Sequence, residues 1–241
     1  MLARDVMTTP VLAVSPDTDV QAVAALLLEC RISAVPVVDD DGRVQGIVSE
    51  GDLINRDDAG TRHRRSWWLE MLQGEEARAR EFLRARGRRA EDVMTREVVA
   101  ADEDTPLPDI AALLEKHHVK RVPVLREGKL VGIVSRANLL QGFALGAPAG
   151  PALDDDRRVR EALHDALEEA GLPMHQVNVT VNGGSVRLWG WIDSETQRQA
   201  ARAAVESTPG AATCRWRPAW RARPRRAPPR RRGTTRCRRS S

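Results

Sequence analysis

Two heptapeptides carry the side chains best suited to binding chemistry in this 241-residue chain. One begins at Gly46 and reads GIVSEGD; the other begins at Gly132 and reads GIVSRAN. In each, a β-branched run ends in a serine, and a carboxylate (Asp52) or an amide (Asn138) follows three residues later. This pattern predicts a strand leading into a helix, with a hydroxyl, free backbone N–H groups and a side chain able to hold a diol. Such a set of groups suits a ribose phosphate.

The heptapeptides close two copies of a longer repeat. The tetrapeptide DVMT at 5–8 recurs at 92–95, and VPVV at 35–38 recurs as VPVL at 122–125, both at an offset of 87 residues. After the following turn the offset falls to 86, so one residue is lost in the second turn, where length changes are best tolerated. A unit of roughly 50 residues buries little core alone, so we expect the two copies to pack as one pseudo-symmetric domain.

Each copy predicts the order strand, helix, strand, strand, helix. In the first copy, residues 11–14 are apolar and β-branched, and residues 15–18 (SPDT) are typical of a turn and helix cap. Thr105 and Pro106 are the corresponding cap in the second copy. Apolar residues then recur at helical spacing, and two apolar strands flank a polar turn.

Composition predicts a soluble cytoplasmic protein with an acidic body. The chain has 38 basic and 34 acidic side chains, but residues 213–241 contain 12 arginines and no acid, so residues 1–212 are acidic overall. The three cysteines form neither a close pair nor a metal-binding spacing, which is typical of thiols in a reducing compartment. The N-terminus lacks an apolar leader, and no apolar run approaches the ~18 residues of a membrane span.

Two segments differ from the repeats in amino-acid composition. Residues 58–91 place tryptophans among Arg and Glu residues and predict one or two amphipathic helices that dock on the repeats or at a dimer interface. The alternative is a basic helix on a membrane, which the interspersed acids oppose. Residues 213–241, rich in Arg and Pro, are expected to be disordered. Their abrupt change of composition is typical either of a shifted reading frame or of a basic arm for nucleic acid or anionic lipid.

A linker at 146–156 precedes a third module at 157–212. A helix with one apolar face is followed by the alternating strand VNVTV, which begins at Val177. The turn NGG and a second alternating strand then predict a β-hairpin. Ser194 is expected to cap a second helix.

The duplicated pattern resembles a tandem of CBS domains, the regulatory modules first noticed in cystathionine β-synthase. The resemblance rests on the DVMT opening, the apolar-Pro-Val-apolar strand and the Gly-apolar-apolar-Ser-x-x-Asp close, which occur twice and in the same order. It covers residues 1–57 and 92–145. It implies two β-α-β-β-α units in a mixed α/β (α+β) fold.

The third module resembles the BON domain, a small bacterial α/β module. The matching features are the strand VNVTV, the Gly-x-Val-x-Leu-x-Gly pattern at 184–190 and the tripeptide TPG at 208–210. The family ends with a third strand of Val-x-x-Val type. Cys214 and the Arg-Trp-Arg sequence after it stand at that place, so we expect the third strand to be missing.

The CBS resemblance implies a cleft for an adenosine nucleotide between the repeats. The carboxylate of the closing motif would hold the ribose hydroxyls, the serine would lie near phosphate, and the backbone before the strand proline would edge the adenine. The matching residues of the first repeat are Thr18, Ile32, Ser33, Ala34, Ser49 and Asp52. Those of the second are Thr105, Val119, Lys120, Arg121, Ser135 and Asn138. The sequence does not say which halves combine in one cleft.

The two sets differ in a way that favours a site at the first heptapeptide. Asn138 replaces the carboxylate, and an amide holds a diol less strongly than a charged acceptor does. Ser33 and the alanine after it are small enough to admit a base, whereas Lys120 and Arg121 at the same positions suit phosphate. The alternative is that these cations are solvated edge-strand residues and that the serines only cap helices.

The leading hypothesis is a non-catalytic regulatory protein that binds AMP, ADP, ATP or S-adenosylmethionine. We expect it to form a homodimer through the CBS pair and to use the BON-like module for docking to a target protein or for output. The sequence has no nucleophile elbow, no phosphate-binding P-loop and no dinucleotide fingerprint. The adjacent pair His117 and His118 lacks a third ligand at metal-site spacing. We therefore expect no catalytic residue and no metal ligand.

The alternative hypothesis is a dimeric scaffold that does not sense nucleotides. In that case the BON-like module binds phospholipid at a membrane surface, or a protein partner, and residues 150–212 should bind vesicles without nucleotide. Nucleic acid would be a partner only through the arginine-rich tail, and we do not expect it.

Overall fold

The computed structural model describes residues 1–54, 86–145, 154–192, 194–211 and 213–214. The predictions for most of 58–91, for most of the linker and for 215–241 fall outside these ranges. No helix within them is both long and apolar enough to cross a bilayer. The elements in chain order are α1 (Ala3–Val6), α2 (Val20–Cys30), β1 (Ala34–Val38), β2 (Val44–Ser49), α3 (Glu50–Ile54), α4 (Ala90–Val93), β3 (Ala101–Asp102), α5 (Leu107–Lys116), β4 (Arg121–Arg126), β5 (Lys129–Ser135), α6 (Arg136–Leu145), α7 (Asp154–Glu169), β6 (Val177–Asn182), β7 (Ser185–Gly190), α8 (Glu195–Ser207) and β8 (Thr213–Cys214).

Each repeat is built on an antiparallel hairpin, as predicted. β1 pairs with β2, with Val35 opposite Val48, and β4 pairs with β5, with Val122 opposite Val134. All four valines are fully buried. Because alternate residues of a strand point to the same face, these hairpins turn one apolar face each toward the helices and form two cores. This combination of helices and small sheets confirms the predicted mixed α/β fold class.

The first strand of each repeat is shorter than predicted. In repeat one only Val14 makes a bridge, parallel to Val37, and in repeat two only the two residues of β3 pair with β4. The apolar segment before Val14 forms no strand, and its residues Val11 and Leu12 line a cavity.

The helix caps also differ from the prediction. Asp19 is the N-cap of α2, and its carboxylate accepts from Gln21 N at 2.7 Å. Pro106 is the N-cap of α5 and makes no side-chain cap bond. Thr105 Oγ1 instead accepts from Asp102 N at 3.0 Å, and Thr18 Oγ1 lies 3.0 Å from the hydroxyl of Ser15. Both threonines therefore stabilise the turn before the helix rather than its first amides.

The short opening helices are exchanged between the repeats. Met7, which follows α1, packs in the core of repeat two, and Met94, which follows α4, packs in the core of repeat one. The first glycine of each heptapeptide permits this exchange. A Cβ on Gly46 would collide with Met94 Sδ, and a Cβ on Gly132 would collide with Met7 Sδ. The two repeats are thus interlocked in a pseudo-symmetric arrangement.

The third module folds as the sequence predicts for its first four elements. α7 and α8 pack on the sheet through a core that includes Leu163, Leu167 and Leu188. Gly183 and the glycine after it have φ values of 56° and 70°, which is typical of a two-residue hairpin turn. Ser194 Oγ accepts from Gln197 N at 3.1 Å, which confirms the predicted cap of α8.

A third strand is present in this module, contrary to the prediction. β8 pairs in parallel with the start of β7, with Thr213 opposite Ser185. Strand pairing is made by backbone N–H and C=O groups, so the missing aliphatic pattern does not prevent these two residues from pairing. The expected lack of structure from residue 213 onward is therefore wrong for residues 213 and 214.

Candidate ligand-binding clefts

Two cavities lined by described residues lie between the repeats, and we call them cleft A and cleft B. Their volumes are about 310 Å³ and about 210 Å³. Each cleft combines the heptapeptide of one repeat with the opening segment of the other repeat. The exchange of opening helices therefore decides which halves combine, a question the sequence left open.

In cleft A, Ser49 and Asp52 form a local pair. Ser49 donates to Asp52 Oδ2 from its backbone N at 2.8 Å and from its hydroxyl at 2.6 Å. These bonds orient the carboxylate and use only one of its oxygens. Oδ1 of Asp52 is a second, charged acceptor on a residue that lines the cleft.

Cations from repeat two line the same cleft. Lys120 and Arg121 are there, with Glu50 of repeat one. Arg121 donates to the carbonyl of Ala34 at 3.2 Å and to the hydroxyl of Ser33. Burial lowers the pKa of Arg121, and the nearby Glu50 carboxylate partly opposes this shift. Cleft A thus contains both charge types within one cavity.

In cleft B, Ser135 and Asn138 repeat the local pair with a different outcome. Ser135 donates to Asn138 Oδ1 from its N at 2.8 Å and from its hydroxyl at 2.6 Å. The amide Nδ2 of Asn138 donates to the carbonyl of Val6 at 2.8 Å and to Thr8 Oγ1 at 3.1 Å. Asn138 is only 3% exposed. Both ends of this amide are therefore engaged by the protein, and an aspartate could not donate as Nδ2 does.

The third module docks beside cleft B. Asn178 Nδ2 donates at 2.9 Å to the same Val6 carbonyl that Asn138 binds. Arg160 of α7 donates to the Met7 carbonyl at 2.6 Å, to Val179 O at 2.8 Å and to the carbonyl of Arg4. Burial lowers the pKa of Arg160 to about 10. The module is thus fixed to the opening segment of repeat one by charged and neutral hydrogen bonds.

One residue of this module lines cleft B. His175, in the turn before β6, joins Arg31 and Arg121 among its lining side chains. The guanidinium of Arg31 lies 6.0 Å from the ring centre of Trp191, which follows β7. No Asp or Glu occurs among the described residues that line cleft B, whereas Asp52, Glu50 and Glu97 line cleft A.

The structure brings ten of the twelve predicted residues to a cleft. Those at cleft A alone are Ser49, Asp52, Val119 and Lys120. Those at cleft B alone are Ile32, Ser135 and Asn138. Those at both are Ser33, Ala34 and Arg121. Thr18 and Thr105 line neither cavity.

Within the described ranges, no group of three or more His, Cys, Asp or Glu is placed to hold a metal ion.

Sequence reasoning missed the segments that follow the two DVMT motifs. Thr95 and Glu97 line cleft A, and Thr8 and Pro10 line cleft B. The repeated threonine at the end of DVMT was an available signal. Sequence reasoning also missed two lining residues at matching positions of the repeats. Arg31, at the end of α2, lines cleft B, and His118, at the end of α5, lines cleft A. Both have left-handed backbones, with φ values of 55° and 52°.

Comparisons with known proteins agree with this architecture. A family model for the CBS domain matches residues 3–58 and 90–144, and one for the BON domain matches residues 155–213. An uncharacterised protein of Methanocaldococcus jannaschii is 34% identical over 154 residues, which cover 59% of this chain and 91% of that protein. The chain belongs to the CBS-domain proteins. Its two repeats are a CBS pair, and its third module is a BON domain, as the sequence predicted.

Other CBS-domain proteins align with the CBS pair. The CBS domain-containing protein YhcV of Bacillus subtilis is 28% identical over 150 residues, covering 62% of this chain and 91% of that protein. The crystal structure of CBSX2 in complex with AMP is similar with a TM-score of 0.53 and 28% identity, over 60% of this chain and 97% of that one.

Proposed function

We propose that this CBS-domain protein is a non-catalytic regulator that binds an adenosine nucleotide in cleft A. The observation that carries the proposal is the presence of Asp52 in the same cavity as Lys120 and Arg121. A nucleoside phosphate needs both kinds of group, because its ribose diol donates to a carboxylate and its phosphate accepts from cations. The cavity also falls at the lower end of the roughly 300–1,000 Å³ of small-molecule sites.

Each group in cleft A has a proposed part. Oδ1 of Asp52 accepts from the ribose hydroxyls, and Lys120 with Arg121 binds the phosphate. Arg121 is held in place by its bonds to Ser33 and to the Ala34 carbonyl. The small side chains at these two positions leave room for the base. An ordered cation and an oriented carboxylate reduce the side-chain entropy lost on binding.

AMP is the first ligand to test. The similar structure of CBSX2 contains AMP, and its 28% identity and TM-score of 0.53 support the transfer of that ligand class to this chain. ADP, ATP and S-adenosylmethionine share the adenosine part and are tested beside it. AMP places one phosphate next to the ribose, which matches a single pair of cations.

Titration calorimetry of the full-length protein tests the proposal. AMP, ADP, ATP and S-adenosylmethionine are titrated in turn into the wild type and into Asp52→Asn, which keeps the Ser49 bonds but removes the charge. We expect binding by at least one ligand and a loss of affinity of about tenfold in Asp52→Asn. No binding by any of the four at millimolar concentration contradicts nucleotide sensing. Equal affinity of both proteins contradicts the part given to Asp52.

We also propose that the protein pairs with a second copy through the closing helices of the CBS pair. Ile54 of α3 is 54% exposed, and Leu140, at the matching position of α6, is 68% exposed. Phe143, one turn after Leu140, is 86% exposed. Matched exposed apolar side chains on both repeats support a self-complementary interface about a two-fold axis.

Light scattering after gel filtration measures the mass of the particle. The wild type is expected to run as a dimer, and Leu140→Glu with Phe143→Glu is expected to run as a monomer because two carboxylates would be desolvated at the interface. The variant Leu28→Glu, at a residue of α2 that is 78% exposed, is a control for added charge. A monomeric wild type at micromolar concentration contradicts the dimer.

A further inference from the structure

Helix α6 of the CBS pair is held at its two ends by different domains. We propose that the BON domain braces the C-terminal half of α6 and in this way controls how tightly the protein pairs with a second copy. The inference rests on the proposed dimer interface, because Leu140 and Phe143 of that interface lie in this half of the helix. The brace itself is a contact within one chain and can be tested without the dimer.

The CBS pair anchors the first turns of α6. Asn138 is buried there, with Oδ1 accepting from the Ser135 hydroxyl and Nδ2 donating to the Val6 carbonyl at 2.8 Å. Leu139 packs against the core of repeat two. The first half of the helix is therefore held in position by contacts within the CBS pair.

The last turns of α6 have little within the helix to stabilise them. Residues 140–145 (LQGFAL) contain no charged side chain, so no cation of the helix itself complements the negative end of its dipole. Gly142 lies in this half, and a glycine inside a helix stabilises it less than an alanine does. A Cβ at Gly142 would collide with Leu107 Cδ1, so close packing on α5 requires the glycine. The C-terminal half thus depends on contacts from other elements.

The BON domain supplies two such contacts. Arg187 of β7 donates to the carbonyl of Ala144, the residue before the last of α6. The last four carbonyls of a helix have no amide partner within it, and a cation at this end also complements the helix dipole. Asn178 of β6 donates from Nδ2 to Gln141 Oε1 at 2.6 Å, about one turn earlier. The BON domain therefore acts as a cap on the end of α6.

Both donors stand on the face of the BON hairpin that is turned away from the BON core. Asn178 lies opposite Trp189 and Thr180 lies opposite Arg187, while the intervening residues of both strands are in the core. Trp189 Nε1 donates to Thr180 Oγ1 at 2.9 Å, which joins the two strands on this face. Arg160 of α7 fixes the domain separately to the opening segment of repeat one. The donors are thus held in place before they reach α6.

The residues that contact the BON domain lie beside the exposed apolar residues on the same helix. Gln141 and Ala144 contact the BON domain, whereas Leu140 is 68% exposed and Phe143 is 86% exposed. Neighbouring residues of an α-helix are about 100° apart around its axis, so these pairs form adjacent stripes.

Loss of the brace would let the last turns of α6 unwind. Leu140 and Phe143 would then lose their helical spacing, and pairing would have to order the helix first, which lowers the affinity between two copies. The coupling is reciprocal, so pairing favours the docked BON domain by the same factor.

Sedimentation equilibrium of the full-length protein measures the dissociation constant of the dimer. Arg187→Met keeps an unbranched stem but removes the donors to Ala144, and we expect the dissociation constant to rise about tenfold. Arg187→Lys keeps a cation near the helix end and should give an intermediate value. Arg198→Met removes an exposed arginine of α8 that is paired with Glu195, and this matched control should change the constant less than twofold. Circular dichroism verifies that each variant folds.

Hydrogen exchange tests the brace without the dimer. Exchange is followed by mass spectrometry in the monomeric variant Leu140→Glu with Phe143→Glu, with and without Arg187→Met. We expect the amides of residues 141–145 to exchange about tenfold faster when Arg187 is replaced, because their local unfolding becomes easier. The amides of α5 should keep their rates.

Each result decides one part of the proposal. Unchanged exchange of residues 141–145 in Arg187→Met overturns the brace. Faster exchange with an unchanged dissociation constant overturns its control of pairing. An equal effect of Arg198→Met overturns the assignment to the α6 contact. A monomeric wild type overturns the dimer and its control together, and exchange then still decides whether the brace exists.

Discussion

Cleft A and cleft B are built from matching segments of the two repeats, but they differ in the closing residue of the heptapeptide and in the side chains around it. Asp52 accepts twice from Ser49 at Oδ2, and its Oδ1 is a second acceptor. Asn138 uses both ends of its amide within the protein, and its Nδ2 binds the Val6 carbonyl together with Asn178 of the BON domain. The closing amide of cleft B therefore helps to hold two domains together, whereas the closing carboxylate of cleft A bonds to Ser49, three residues away.

Exchanging the closing residues has the largest expected effect on stability. Asn138→Asp would place a carboxylate oxygen against the Val6 carbonyl, at a residue only 3% exposed. The free energy of unfolding should fall by roughly 2–4 kcal/mol, because a buried charge loses its partners. Denaturant unfolding of the full chain measures this change.

The reverse substitution at the matching position of the first repeat, Asp52→Asn, is the control. Its side chain is only partly buried, and an amide oxygen can still accept from Ser49, so the expected loss is below about 1 kcal/mol. Equal losses in the two variants would contradict the difference between the clefts.

Removal of the Arg160 contacts that dock the BON domain should destabilise the segments beside cleft B more than those beside cleft A. Arg160→Met keeps an unbranched stem but removes the donors to Met7, Val179 and Arg4, and should reduce the stability of the docked module by roughly 2–3 kcal/mol. Hydrogen exchange of α1 and β6 should accelerate. Arg158→Met, at an exposed position of the same helix, should leave exchange unchanged. Faster exchange confined to α3 and β2 would contradict the placement.

Nucleotide affinity should depend on the two closing residues unequally. Asp52→Ala is expected to weaken AMP binding about tenfold, and Asn138→Ala less than threefold, because Asp52 lines cleft A and Asn138 lines cleft B. Calorimetry well below both unfolding temperatures compares them. If both variants lose the same affinity, or neither loses any, the asymmetry has no functional meaning.

The smallest effect is expected at the two threonines that line neither cleft. Thr18→Val and Thr105→Val should change AMP affinity less than twofold. Thr105→Val should still lower the free energy of unfolding by roughly 0.5–1.5 kcal/mol, because Asp102 N loses its acceptor. A tenfold loss of affinity in either variant would place that threonine in the binding site after all.

Local patterns were sufficient for the hairpins, the helix faces and the closing pairs. The short continuous apolar run around Pro36 and its repeat, each followed by a polar turn, specified strands because such runs are typical of strands buried on both faces. The Ser–Asp and Ser–Asn pairs also follow from local spacing, since their bonds join residues three apart. The third strand of the BON domain was misjudged because backbone pairing does not depend on the side-chain pattern that was sought.

Only the folded chain decides how these pieces combine. The Val6 carbonyl meets Asn138 across 132 residues and Asn178 across 172 residues, and no local pattern encodes such distances. The exchange of Met7 and Met94 depends on complementary shape between a glycine and a distant side chain. The repeated motifs thus predicted which residues could bind a nucleotide. Long-range packing determined that the amide nitrogen of Asn138 binds the distant Val6 carbonyl, whereas the bonds of Asp52 to Ser49 are local.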